Sequence, residues 1–70
     1  MKEYVANNVH KLRKQKGVTQ EELAGAIGVS RQTIVAIEKG NYTPSLLLGV
    51  KISKFFNKAV EEVFSLKNEK

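Results

Sequence analysis

Three hydrogen-bonding side chains stand together at positions 31–33, where a short helix is predicted to begin. They belong to Arg31, Gln32 and Thr33, and Ala36 follows one turn later. Arginine can bind guanine O6 and N7 together, glutamine can bind adenine N6 and N7, and an alanine methyl can contact the methyl group of thymine. A helix that begins with such residues fits the major groove of B-DNA. These four residues are therefore predicted to read base edges.

The segment 19–40 contains the elements that must present those side chains. Thr19 can cap a first helix, and Glu22 stands at the spacing of a capping box. Apolar residues recur at helical spacing from Leu23 to Ile27, so one face of this helix can pack against a core. Gly28 can then adopt the left-handed conformation of a tight turn.

A second helix is predicted to begin at Arg31. Ser30 offers an oxygen to the free N–H groups of its first turn. Its apolar residues Ile34 and Ile37 would face the first helix, and Gly40 suits a C-cap. The two helices together predict a helix-turn-helix motif.

Five short motifs occur in order along the chain: TQEELA, GVSRQTI, AIEKG, YTPSL and EEVF. Together they resemble the Cro/cI (XRE) family of helix-turn-helix DNA-binding repressors. The resemblance implies an all-α, compact five-helix, lambda-repressor-like domain over residues 1–70. Some short, free-standing relatives pair an N-terminal strand with the C-terminal tail. Tyr4–Ala6 and Phe64–Leu66 could form such a two-stranded β-ribbon here.

One helix should precede the motif. Val9 and Leu12 lie on one apolar stripe, and Gly17 can end the helix after them. Asn7 or Asn8 could cap its start, so its N-terminal boundary stays open.

A further helix should follow the motif over Leu46–Phe56, with Thr43 or Ser45 as its cap. Its apolar face is unusually broad, because Leu47 and Phe55 add to the stripe that faces the core. A helix that is apolar most of the way round is either buried or part of another interface.

The last helix is predicted over about Val60–Phe64. Ala59 stands where Ser or Thr is usual in the family, so Asn57 or Lys58 would have to begin the helix less favourably. Residues 68–70 are predicted to form a mobile tail.

The charge balance favours an anionic partner. The chain has 12 Lys and Arg residues against 7 Asp and Glu residues, a net charge of +5. Lys11, Arg13, Lys14 and Lys16 form a run without an acid just before the motif. Such a run can be a solvated helix face or can bind phosphates. Beside the predicted reading helix, phosphate binding is the favoured interpretation.

The composition argues against several other classes of protein. The chain has no cysteine and one histidine, so no metal site and no cofactor are predicted. Neither a paired acid and base nor a Gly-rich phosphate loop occurs, so an enzyme is not expected. No apolar run approaches the roughly 20 residues of a spanning helix, and no signal peptide is visible. The predicted location is the cytoplasm.

The resemblance also implies contacts with the DNA backbone. The position of Gln20 contacts a phosphate in relatives and can brace the first residue of the reading helix. The loop after that helix lies along the backbone, although Tyr42 could equally be a packed aromatic residue. The predicted backbone contacts are Gln20, Ser30, Lys39, Asn41, Tyr42, Lys14 and Lys16.

The resemblance further implies an ion pair between Arg13 and Glu38, which would fix the first helix to the reading helix. The alternative is two independent surface charges coupled by at most about 1 kcal/mol. For His10, an ordinary surface position is the favoured interpretation.

The function predicted is that of a sequence-specific regulator of transcription, most simply a homodimeric repressor that binds a palindromic site in double-stranded DNA. One module contacts too few bases to select an operator, and a dimer places two reading helices one DNA turn apart. The dimer region is predicted at about 46–67, with Leu47, Phe55, Val60 and Phe64 at the interface. The alternative function is an antitoxin-like module whose motif mainly serves a protein partner.

Overall fold

A computed structural model describes residues 2–69 and contains five helices and two strands. The predicted five helices are present, but a two-stranded sheet joins them, so the fold is mostly helical rather than purely all-α. The elements in chain order are β1 (Lys2–Asn7), α1 (Val9–Lys16), α2 (Gln20–Ile27), α3 (Arg31–Glu38), α4 (Leu46–Phe55), α5 (Val60–Val63) and β2 (Phe64–Glu69).

The two strands form the antiparallel ribbon that the resemblance allowed. Val5 lies opposite Leu66 and Ala6 opposite Ser65. Because β2 continues through residue 69, the prediction of a mobile tail is wrong for residues 68 and 69. Residue 70 lies outside the described part of the chain.

The start of α5 at Val60 agrees with the predicted range, but its cap differs from the prediction. The helix begins at Val60 directly after Ala59, and not from residue 57 or 58. The Glu62 carboxylate accepts a hydrogen bond of 2.8 Å from the Ala59 amide, which ties down the first turn without a side-chain cap at Ala59. The helix ends one residue earlier than predicted because Phe64 adopts an extended conformation and begins β2.

One hydrophobic core joins the helices. Val9 of α1, Leu23 of α2, Ile34 and Ile37 of α3 and Ile52 of α4 are each fully buried within it. Since each helix contributes its apolar stripe to the same core, the direction in which its other side chains point is fixed. None of the helices within residues 2–69 combines the length and apolar character that crossing a bilayer would require.

Candidate nucleic-acid interface

The turn between α2 and α3 is fixed by local hydrogen bonds. The Thr19 hydroxyl accepts from the Glu22 amide at 3.0 Å, and the Glu22 carboxylate accepts from the Thr19 amide at 2.8 Å. This reciprocal pair is the predicted capping box. Gly28 then ends α2 with a φ of +78°, which glycine adopts without a steric penalty.

The orientation of α3 follows from its cap and its buried residues. The Ser30 hydroxyl accepts a hydrogen bond from the Thr33 amide at 3.3 Å, so α3 begins at Arg31. Ile34 and Ile37 are completely buried. Because these two residues lie on one side of the helix, Gln32 and the beginning of the helix face solvent.

The four predicted base-reading residues are not equally accessible. Arg31 and Gln32 are exposed, whereas Thr33 and Ala36 are half-buried. The Thr33 hydroxyl also lies 3.1 Å from the Ser30 hydroxyl, so part of its hydrogen-bonding capacity is used within the cap. The first two residues of α3 therefore present the freest polar groups of the four.

An ion pair connects α1 to the end of α3. Arg13 Nε lies 2.7 Å from Glu38 Oε2, and Arg13 Nη2 lies 3.2 Å from Glu38 Oε1. The two side chains are only 10% and 6% exposed. The guanidinium also donates to the Val18 carbonyl at 2.9 Å, so it joins three segments of the chain.

Two further side chains contact the same carboxylate. Gln20 Nε2 donates to Glu38 Oε1 at 3.1 Å, and His10 Nδ1 lies 3.1 Å from that oxygen. Gln20 therefore supports the last residue of α3 and not the first, which differs from the expectation. No role was predicted for His10, although its spacing of three residues from Arg13 places both on one side of α1.

The pKa values of the ion pair reflect these contacts. Burial alone would raise the pKa of Glu38, but hydrogen bonds from Arg13, Gln20 and His10 outweigh it and hold that pKa below its ordinary value. The hydrogen bond to Glu38 likewise raises the pKa of Arg13. Both groups are therefore held in their charged forms.

Five of the seven predicted backbone contacts lie in two places. Lys14, Gln20 and Arg31 line an open cavity of about 480 Å³ between the end of α1 and the starts of α2 and α3. The Lys16 ammonium is instead 5.5 Å from the centre of the Phe55 ring, in a cation–π contact. Arg13 and Glu21 also line the cavity, so it gathers three basic groups, one carboxylate and the Gln20 side-chain amide beside the exposed start of α3.

The second place is the loop after α3. Lys39, Asn41 and Tyr42 are all exposed there. The backbone N–H of Asn41 donates to the Ala36 carbonyl at 2.9 Å, which holds the loop against the helix end. Tyr42 is 44% exposed and is therefore accessible at the surface of this loop.

The predicted dimer residues have different surroundings. Leu47 is exposed, whereas Phe55, Val60 and Phe64 are half-buried. Phe55 and Phe64 both pack against the core, and Phe55 also contacts Lys16. Two other leucines are exposed although neither was predicted to be: Leu46 at the start of α4 and Leu66 in β2.

Comparison with known proteins gives the family of the chain. The sequence model described as helix-turn-helix matches residues 9–63. The chain belongs to the XRE-type helix-turn-helix family. The match begins at the start of α1 and ends at the last residue of α5, so both strands of the ribbon lie outside it.

Individual members of the family are also similar to this chain. It is 52% identical over 63 residues to the HTH-type transcriptional regulator YgzD of Bacillus subtilis, which covers 90% of this chain and 96% of YgzD. It is 35% identical over 60 residues to the phage CTXphi transcriptional repressor RstR of Vibrio cholerae, covering 86% of this chain and 54% of RstR. The crystal structure of the restriction-modification controller protein C.AhdI from Aeromonas hydrophila superposes with a TM-score of 0.73 and 29% identity, covering 79% of this chain and 83% of that protein.

Proposed function

We propose that this protein is a sequence-specific, double-stranded DNA-binding repressor of transcription that acts as a homodimer. The observation that carries the proposal is the exposed start of α3 on a helix held by buried residues and by the Arg13–Glu38 ion pair. A reading helix must be rigid, because small displacements of its side chains would lose their geometry against the bases. The naming of RstR as a transcriptional repressor supports the same conclusion.

In this proposal the base edges are read mainly by the two exposed residues of α3. Arg31 would donate to guanine and Gln32 would bind adenine, each through paired hydrogen bonds. Thr33 and Ala36 are half-buried and reach less far from the helix than Arg31 and Gln32. They would therefore contact base edges only where the helix lies close to the floor of the groove. No residue is assigned a catalytic role.

Phosphate contacts would set the register of the helix in the groove. Lys14 and Gln20 line the cavity beside Arg31, where a phosphate can approach. The Gln20 amide has a second N–H and an oxygen beyond the bond to Glu38, so support of α3 and phosphate binding are compatible. The loop residues Lys39, Asn41 and Tyr42 would contact the backbone on the other side, and Ser30 and Lys16 complete the proposed set.

Two copies would bind one operator. A two-fold dimer places two reading helices about 34 Å apart, one turn of DNA, and so matches a palindrome. A dimer bound at a promoter would then exclude RNA polymerase from that DNA. The test is selection of bound duplexes from a random pool. A palindromic consensus supports the proposal, and recovery of sequences without any preference contradicts it.

Two substitutions separate base reading from phosphate binding. Arg31→Ala should cost about 1–3 kcal/mol on the selected operator and relax the preference at one base pair. Lys39→Ala should instead weaken binding to all duplexes similarly and reduce the slope of log K against log salt by roughly 1.

The matched control is Lys54→Ala, because Lys54 is an exposed lysine on α4 with no proposed DNA contact. It should leave both the preference and the salt slope unchanged. Equal patterns for Arg31→Ala and Lys39→Ala, measured by titration of labelled duplexes at several salt concentrations, would contradict the division of roles.

A further inference from the structure

The two faces of the ribbon differ in what they contact. In an antiparallel pair, opposite residues point to the same face, and so do residues two apart along one strand. Tyr4 lies opposite Lys67, and Ala6 lies opposite Ser65. These four residues therefore share one face, here called the outer face of the ribbon. Phe64 belongs to the other face and packs against the core, so the outer face is directed away from the core.

The outer face carries two donors that suit a phosphate. Tyr4 is 52% exposed, and Lys67 is exposed on the neighbouring strand. Tyrosine hydroxyls and lysine ammonium groups are among the side-chain donors that bind DNA phosphates. Lys2 also stands on this face, but its register partner is Glu69, whereas the register partner of Lys67 is the uncharged Tyr4. Lys67 is therefore the stronger candidate of the two lysines.

A cavity joins the outer face to the loop after α3. Its volume is about 370 Å³, and Tyr4 lines it together with Lys39 and Thr43. Glu38 lines it as well, but the charge of that carboxylate is already paired with Arg13. Since Lys39 is a proposed phosphate contact, the outer face continues the proposed backbone surface beyond the loop. This continuity favours DNA as the occupant, and the net charge of +5 favours the same polyanion.

Hydrogen bonds fix the base of the ribbon to the reading helix. Asn7 Nδ2 donates to the carbonyl of Ile37, close to the end of α3, at 3.0 Å. The backbone N–H of Asn8 donates to the Val63 carbonyl at 2.9 Å, which ties the same end of β1 to α5. The strand pairing then extends from this anchored end to Tyr4. A contact made by the outer face is therefore transmitted to the position of α3.

We propose that the outer face of the ribbon binds the DNA backbone, with the Tyr4 hydroxyl and the Lys67 ammonium donating to phosphates next to those that the loop of Lys39 contacts. The inference rests on the proposed function and deepens its backbone interface. The contact lies outside the helix-turn-helix match over residues 9–63, because both strands do. It lengthens the site that the chain occupies on DNA and adds no base preference of its own.

Two conservative substitutions test the contact through different signatures. Lys67→Gln removes a charge, so the slope of log K against log salt should fall by about 0.9 for each copy bound, on the operator and on unrelated duplexes alike. Tyr4→Phe removes only a neutral hydroxyl, so the affinity should fall by about three- to tenfold without a change in slope. Both positions are exposed, so the urea midpoints should stay at the wild-type value.

The matched control is Lys54→Gln, which removes the same charge from α4, where no DNA contact is proposed. It should leave the salt slope unchanged. An equal fall of the slope in Lys54→Gln and Lys67→Gln would show a general effect of net charge and would overturn the ribbon contact.

Operators with single uncharged phosphates locate the contact. Each duplex carries one methylphosphonate in place of a phosphate at or beyond the edge of the selected half-site. One of these duplexes should bind the wild-type chain about three- to tenfold more weakly than the unmodified operator does. Lys67→Gln should bind that duplex and the unmodified operator equally well. Lys39→Ala should still lose affinity at that position, because its own phosphate is a different one.

The ribbon contact and the proposed function can fail separately. A wild-type chain that prefers an operator, with Lys67→Gln and Tyr4→Phe variants that keep its affinity and salt slope, overturns the ribbon contact and leaves the proposed function standing. Variants that bind all duplexes more weakly, although the random pool yields no preferred sequence, uphold the contact while sequence-specific reading fails. A wild-type chain that binds no duplex overturns both.

Discussion

The ion pair between Arg13 and Glu38 gives the sharpest prediction for stability. Arg13→Met removes the guanidinium but keeps an apolar stem in the same space. The Glu38 carboxylate, 6% exposed, would then lose both hydrogen bonds from Arg13 and keep only those from Gln20 and His10. Removal of one partner from a buried pair costs about 3–5 kcal/mol.

That loss is large for a chain of this size. At roughly 0.05–0.15 kcal/mol per residue, a domain of 70 residues has a free energy of unfolding of about 3.5–10 kcal/mol. Arg13→Met should therefore remove much of the stability and shift the urea midpoint strongly. Lys11→Met, an exposed substitution on the same helix, should change the free energy of unfolding by less than about 0.5 kcal/mol.

A double-mutant cycle measures the coupling itself. Glu38→Leu alone leaves the Arg13 charge without its partner, whereas Arg13→Met with Glu38→Leu replaces the pair by apolar groups. The double variant should therefore lose much less stability than the sum of the two single variants, with a coupling energy of about 2–3 kcal/mol. Urea unfolding followed by circular dichroism provides the four free energies. A coupling below about 0.5 kcal/mol would refute the argument and indicate an exposed, screened pair.

Two further predictions concern pH and glycine. The pKa of Glu38 is lower in the folded chain than its ordinary value of 4.5, so its contribution to stability should be full above that value and lost as the pH falls through the folded pKa. Glu38→Gln should therefore flatten the dependence of the free energy of unfolding on pH in the acid range. Urea unfolding at several acid pH values measures this dependence, and the same dependence in the variant and the wild type would contradict the prediction. Gly25 lies inside α2, where a Cβ atom added to it would have no neighbour within 4 Å, and at Gly49 such an atom would meet only Phe64, at an ordinary 3.7 Å. Gly25→Ala and Gly49→Ala should thus each stabilise the fold by up to about 1 kcal/mol, measured by thermal or urea unfolding. A loss of stability in Gly25→Ala would show that the space around Gly25 does not accept a methyl group.

Some boundaries could be predicted because short-range contacts decide them. The capping bonds of Thr19 and Ser30 join residues three apart, so the sequence already contains both partners. Ser45 was one of two possible caps for α4, and its hydroxyl accepts from the Leu48 amide at 3.1 Å. The range predicted for α5 also begins at Val60, but the cap of this helix was missed because its first turn depends on the Glu62 side chain and not on the residue at the cap.

The extent of the ribbon could not be derived from local pattern. Phe64 would extend α5 by its apolar spacing, but pairing with Asn7 makes it the first residue of a strand. The partner lies at the other end of the chain, and no local preference of such a short segment encodes that pairing.

The motif, the start of α3 and the sign of the charge followed from the amino-acid sequence alone, because caps, turns and helical periodicity act within a few residues. Which side chains meet across the chain depended on the folded arrangement of the helices. The Glu38 carboxylate collects donors 28, 25 and 18 residues away, and one of them, His10, had no predicted role. Phe55 is likewise packed while Leu46 remains exposed, because burial depends on which distant surface covers a side chain and not on its own polarity.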